Sequence, residues 1–335
     1  MRENFQGGIT QVPGVRVGHV TYSEGEIQTG ITAILPHGGN LFREKVVAAA
    51  HVVNGFGKST GLIQINELGT LESPILLTNT LSVGRVSDGL VDYILGENPE
   101  IGVTTGTVNP VVLECNDGRL NEIRRRFFTA EDVAEAIAGA REEFQEGAVG
   151  AGRGMVCYGL KGGIGSASRQ VVTELGTYTL GALVLSNFGQ TEQLTIHGEA
   201  VGRELAPHVG RAHQREQGSI IVVLATDLPL SHRQLQRLAR RAQSGIARTG
   251  GITAHGSGEV VLAFSTAQKI PHEGAAELSF HSFSEQTADG CFAAVIEGVE
   301  EAILRSLYWA ETVTGVRGNK FLSLREALKG AKEEL

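Results

Sequence analysis

The stretch 250-GGITAHGSGEVVLAFSTA-267 passes from a glycine-rich loop, through a single serine at position 257, into an unbroken apolar run. A short apolar run that follows turn residues reads as a strand buried on both faces, the kind found inside a layered sheet. Similar runs lie on its N-terminal side: GVRVGHVTY, TGITAILP, SPILLTNTLSVG, GMVCYGL, YTLGALVLSN and GSIIVVLATD, each bounded by Gly, Pro, Asn or Asp. Four other segments carry apolar residues at three- and four-residue spacing and are predicted as helices: 42–54, 130–144, 231–248 and 289–312. Thr129 and Ser231 stand at the N-cap positions of the second and third. Buried strands together with helices of this length predict sheets covered by helices. Asp227-Leu-Pro229 is the clearest break near the middle, and no Ser-, Pro- or charge-rich linker divides the chain, so one domain is expected over 1–335.

Composition narrows the function classes. Against 29 Lys and Arg stand 37 Asp and Glu, a net charge of −8, and Arg124-Arg125-Arg126 is the longest block of like charge. That balance argues against a nucleic-acid partner. Cys115, Cys157 and Cys291 are odd in number and lack CxxC spacing, so they read as buried small hydrophobes rather than a disulfide framework or a zinc site. No HExxH occurs, and neither a metal nor a cofactor is expected. The first 20 residues lack the apolar core of a secretory signal and no stretch approaches the ~20 apolar residues of a membrane span, so a cytoplasmic protein without membrane contact is expected. Glycine, at 45 residues, is nearly twice its usual share of ~7 per cent. The clusters GAVGAGRGM (147–155) and KGGIGSASR (161–169) fit neither a P-loop nor a dinucleotide fingerprint and read as tight turns.

Ser257 has an open setting, His255-Gly256-Ser257-Gly258. A GxSxG elbow lies at a strand-to-helix turn, whereas this serine lies where a loop enters a strand, which excludes the α/β-hydrolase reading. His255 is too close in sequence to turn back as a base for its neighbour. A second use of such a serine is self-cleavage. Attack of its hydroxyl on the Gly256 carbonyl, an N-to-O acyl shift and hydrolysis would leave Ser257 with a free α-amino group. With a pKa near ~8, that amine is a base suited to the adjacent hydroxyl. The residues alone leave both a plain Gly-Ser-Gly turn and this junction open.

The blocks ITQVPGVRVGHVTY, NGFGKSTGLIQINELGTLESPILLTNTLSVG, LECNDGRLNEI, AVGAGRGMVCYGLKGGIGSASR, LVLSNFG, ARTGGITAHGSGEVVLAFST and EEAILRSLYWAETVTG resemble, in order and spacing, the L-aminopeptidase D-esterase/D-amidase and β-aminopeptidase family, peptidase family S58. The resemblance spans roughly residues 9 to 318. It implies an α+β fold, a four-layer αββα sandwich similar to N-terminal-nucleophile hydrolases, with self-cleavage into 1–256 and 257–335. It further implies a small peptide or amide substrate and a homo-oligomer, commonly a tetramer. Carried over residue by residue, it makes Gly256 and Ser257 the cleavage site and Ser257 the nucleophile. It gives Asn187 the oxyanion and Glu114 the substrate's free amino group. Asn116 stands where β-aminopeptidases have Asn and other members have Tyr. The family's supporting Ser and Glu are separated by one residue, whereas here Ser284 is followed directly by Glu285 and then Gln286. Ser284 and Glu285 are assigned that catalytic role with a local shift, and Gln286 without charge is the alternative occupant. Arg305 stands where relatives often have Asn. The expected activity is release of L-, D- or β-residues from peptides, amides or esters. Two alternatives are a member that binds without catalysis and an amidase acting on non-peptide oligomers.

Overall fold

The computed structural model describes residues 5, 7–209, 218–274 and 277–333. In chain order these form β1 (Arg16–Glu24), β2 (Ile27–Leu35), β3 (Glu44–Gly55), α1 (Leu62–Leu68), β4 (Thr70–Leu71), β5 (Ile75–Asn79), α2 (Val83–Glu97), β6 (Val111–Cys115) and α3 (Ala130–Ala138). There follow β7 (Val156–Cys157), β8 (Leu160–Lys161), β9 (Gly163–Thr173), β10 (Gly176–Asn187), α4 (Val201–Leu205), β11 (Ser219–Thr226), α5 (His232–Arg248) and β12 (Gly258–Pro271). The C-terminal part is α6 (Ala288–Tyr308), β13 (Val313–Thr314), β14 (Lys320–Phe321) and α7 (Leu324–Glu333).

Two sheets stack. One has the order β1-β2-β5-β6 and the other β4-β3-β12-β11-β10-β9, mixed because β5/β6 and β11/β12 are parallel while the other pairs are antiparallel. Side-chain alternation shows why the strands read as continuous apolar runs. On β11, Ile220, Val222 and Leu224 pack with Leu238 of α5 and Val299 of α6, while Ile221, Val223 and Ala225 face Ile75, Leu77 and Leu113 of the other sheet. On that sheet Leu76 and Val112 turn outward to Val86 and Leu90 of α2 and Val133 of α3. The order of layers is therefore helix, sheet, sheet, helix, the αββα sandwich expected.

Segment 42–54, expected as a helix, is instead strand β3, which lies between the edge strand β4 and β12. Its two faces are both buried, Val47 and Ala49 on the α5 side and Val46, Ala48 and Ala50 between the sheets, so alternation is hidden and the apolar run mimics a helical stripe. The small alanines let α5 lie close: the His232 ring nitrogen Nδ1 sits 2.8 Å from the Ala48 carbonyl. The other three helices form, although the one expected over 130–144 ends at Ala138, just before Gly139. Ser231 caps α5 by accepting from the Gln234 N–H, and the Gln234 side chain accepts from the Ser231 N–H at 2.9 Å. The three cysteines are buried free thiols. Arg305 on α6 is nearly buried and pairs with Glu146, whose Oε2 also accepts from the Ser166 N–H at 2.7 Å; it ties α6 to β9.

Candidate active site

One rim of the second sheet collects most of the predicted residues. Asn187, the last residue of β10, pairs with Ser219, the first of β11; Ser219 pairs with Gly258, the first of β12; and Gly258 pairs with Gly55 at the end of β3. Strands lie about 4.8 Å apart, so Asn187 and Gly258 are separated by roughly 10 Å. Ser257 enters the rim immediately before β12.

The Gly256–Ser257 junction is held from several sides. Ser257 is fully buried; its N–H donates to the Ala254 carbonyl at 2.9 Å and its hydroxyl donates to Glu259 Oε1 at 2.9 Å. The Asn54 amide, at the end of β3, donates to the carbonyls of Ala254 and His255 at 3.2 Å each and also to that of Ser257. Gly256 is thus the residue between 254 and 257 whose carbonyl Asn54 leaves alone. Upstream, Thr253 has φ of 51°, a left-handed conformation that costs a β-branched residue about 1–3 kcal/mol. Gly258 is required by close approach, because a Cβ there would collide with the Phe56 carbonyl. Glu259 is buried, and burial raises its pKa against the opposing hydrogen bonds of Thr253 and Ser257.

Glu114 reaches the same rim from β6. Its Oε1 accepts from the Lys58 N–H at 3.0 Å and its Oε2 from the Thr80 hydroxyl. With Asn54, Phe56, Gly57, Gly258 and Val260 it lines a cavity of about 150 Å³. Since Gly258 and Val260 line it, Ser257 and Glu259 project from the other face of β12. Asn187 is buried, and its carboxamide is fixed at both ends: Oδ1 accepts from the Val156 N–H at 2.9 Å and Nδ2 donates to the Asn116 carbonyl at 3.0 Å. Asn116 thereby meets Asn187 through its backbone, while its side-chain oxygen accepts from the Gly118 N–H at 2.9 Å.

Ser284 and Glu285 do not join this group. Phe283 donates to the Pro229 carbonyl, just beyond the end of β11 that is remote from Ser219, and Glu285 pairs with Arg233 and Arg237 at the start of α5. The paired stretch from Gly258 to Ser265 separates the two places by roughly 23 Å at ~3.3 Å per residue. The local shift assigned to Glu285 cannot bridge that distance, and Gln286 is displaced with it. In their place stand Asn54 and Glu259, which carry no assigned role in the sequence reading. Glu259 left a readable signal: a carboxylate in a strand whose neighbours on both faces are apolar.

Among the described residues no group of three or more His, Cys, Asp or Glu side chains is arranged to hold a metal ion, and no helix is long and apolar enough to cross a membrane. The solved structure of L-aminopeptidase D-Ala-esterase/amidase from Ochrobactrum anthropi, a variant of the Ntn hydrolase fold, superimposes with a TM-score of 0.89 at 36% identity, over 98% of this chain and 96% of that one. The fold is thus that of the Ntn hydrolase class. The PH0078 protein of Pyrococcus horikoshii OT3 matches with a TM-score of 0.93 at 50% identity over 99% of this chain and 96% of its own. Beta-peptidyl aminopeptidase BapA of Sphingosinicella xenopeptidilytica is 36% identical over 93% of this chain and 83% of that protein. The model of peptidase family S58 matches residues 7–321. The chain belongs to peptidase family S58, in its class of serine aminopeptidases and amidases.

Proposed function

We propose that this chain cuts itself between Gly256 and Ser257, giving chains of 1–256 and 257–335, and then releases N-terminal residues from short peptides, amides or esters through an acyl-enzyme on Ser257. The observation that carries the reading is the meeting, at one sheet rim, of the Gly256–Ser257 junction with Asn187 and Glu114. In the uncut chain the Ser257 hydroxyl is turned to Glu259, away from the cavity; cutting frees residue 257 to swing and supplies its α-amine as base. Ser257 then attacks the substrate carbonyl, the amine or alcohol leaves, and water releases the acid.

Asn187 supports the oxyanion step. One hydrogen of its amide goes to Asn116, and the second is available to developing negative charge, a donor worth ~3 kcal/mol when fixed in advance. Glu114 supports recognition of a free amine: each of its oxygens accepts one protein hydrogen bond and keeps capacity for an ammonium. A cavity of about 150 Å³ suits a small side chain. Preference for β-residues belongs to the proposal, drawn from the names of relatives and from Asn116; so do assembly as a homo-oligomer, a tetramer, and a cytoplasmic location.

Activity against p-nitroanilides of L-, D- and β-residues, on protein whose cut state is known by mass, tests the proposal. Release from at least one free-amine substrate is expected. No turnover by cut protein, or hydrolysis of non-peptide amide oligomers alone, contradicts it.

A further inference from the structure

Self-cleavage raises a question that the mature mechanism leaves open. Before the Gly256–Ser257 bond breaks, the Ser257 nitrogen is an amide and has no basicity, so the base proposed for turnover does not yet exist. The uncut chain needs another proton acceptor. Glu259 is the carboxylate that touches the hydroxyl: as residue i+2 on an extended strand it shares the face of Ser257, and its Oε1 receives the hydroxyl proton at 2.9 Å. Its surroundings are dry; the side chain is buried and Oε2 meets no hydrogen-bond partner of ordinary geometry.

We infer that Glu259 is the catalytic base of self-cleavage, acting on Ser257 in the uncut chain only. The inference rests on the reading that the chain cuts itself there. Ser257 Oγ bonds to the Gly256 carbonyl carbon while its proton passes to Glu259 Oε1. The bond from that carbon to the Ser257 nitrogen then breaks, and the nitrogen takes the proton back from Glu259, leaving an ester between Gly256 and the Ser257 side chain and a free α-amine. One water hydrolyses the ester, giving the Gly256 carboxylate and restoring the hydroxyl. Glu259 ends as it began.

Three further features fit this step. Asn54 fixes the carbonyls on both sides of Gly256 and leaves its own to react, and the left-handed Thr253 keeps the approach to the junction under strain. Burial raises the affinity of Glu259 for a proton, which a base must possess to take one from a hydroxyl; Thr253 and Ser257 oppose that rise, and no charged side chain among the described residues contributes to it.

The test follows the cleavage of freshly synthesised full-length protein with time by intact mass, from pH 4 to 9, for the wild type, Glu259→Gln and Glu259→Asp. The wild type is expected to cut more slowly as acid protonates Glu259. Glu259→Gln is expected to cut at least about 100-fold more slowly and to lose that acid limb. Glu259→Asp, with its carboxylate withdrawn by one methylene, is expected to be slowed about tenfold and to keep the limb; should the Gln variant fail to fold, this pair decides. Cleavage of either variant within threefold of wild type at every pH overturns the inference and leaves self-processing standing. A wild-type chain that never cuts overturns self-processing, and the inference with it.

Discussion

A carboxylate that recognises an ammonium and one that accepts a proton need opposite surroundings, and Glu114 and Glu259 have them. Glu114 is met by donors, the Lys58 N–H at its Oε1 and the Thr80 hydroxyl at its Oε2. Glu259 shares its strand with apolar neighbours. Exchange of Glu114 for Gln keeps the shape and removes the charge. The expected result is a KM raised about tenfold or more for substrates with a free amine, with self-cleavage intact; equal kinetics for Glu114→Gln and wild type would remove Glu114 from amine recognition. At this scale the site was partly legible. Ser257 was singled out by its glycine neighbours, but Asn187 and Glu114 were single letters in apolar strands until the resemblance gave them roles. The distance of Ser284 and Glu285 from Ser257 is not legible in the sequence, because a polar loop after a strand has the same composition wherever it lies and sequence distance does not report that β12 runs its full length to the far end of the sheet.

At the scale of elements, the rim depends on β3. One residue before its end this strand carries Asn54, whose amide spans the turn before Ser257 from the neighbouring strand, in a place where β12 and β3 slip register between Glu259 and Val260. A bulge of this kind re-aims side chains at the end of a ladder. Asn54→Ala leaves the strand pairing in place and frees the loop. It is expected to slow self-cleavage by roughly 10- to 100-fold, since loss of orientation alone carries such costs. A time course matching wild type would show that the loop holds its shape without the clamp. The apolar runs of β10, β11 and β12 and the stripes of α5 and α6 were readable because composition and period agree there. β3 was not, its alanines serving both faces of a buried strand as well as they would a helix. α2 went unread because Gly84, Gly89 and Gly96 interrupt its pattern, and β9 because its start, Gly163-Ile-Gly-Ser, looks like a turn.

For the whole molecule, the sandwich buries polar groups beneath the rim as well as at it. Asp117 is fully buried under donors from Thr29, at 2.6 Å, and Asn121, with Asn79 behind Thr29; burial nonetheless pushes its pKa up to about 7, while those hydrogen bonds and the charge of Lys161 hold it down. An acid whose folded pKa lies above its unfolded value of ~3.9 binds more protons folded than unfolded between those limits. Its contribution therefore weakens the fold as pH rises from about 4 to about 7 and is constant above. In the Ser257→Ala background, where the chain is expected to stay whole, Asp117→Asn is expected to flatten that part of the Tm-against-pH curve; curves that remain parallel across the window would show that Asp117 has the same proton affinity folded and unfolded.

Self-cleavage at residue 257 is the central claim, because nucleophile, base and final strand position all depend on it. Intact mass of the purified wild-type protein under denaturing conditions, beside Ser257→Ala, tests it most directly. The wild type is expected to give two masses, those of residues 1–256 and 257–335, while the alanine variant gives one full-length mass. A wild-type chain that stays whole after long incubation, or an alanine variant that is cut at the same bond, would contradict it.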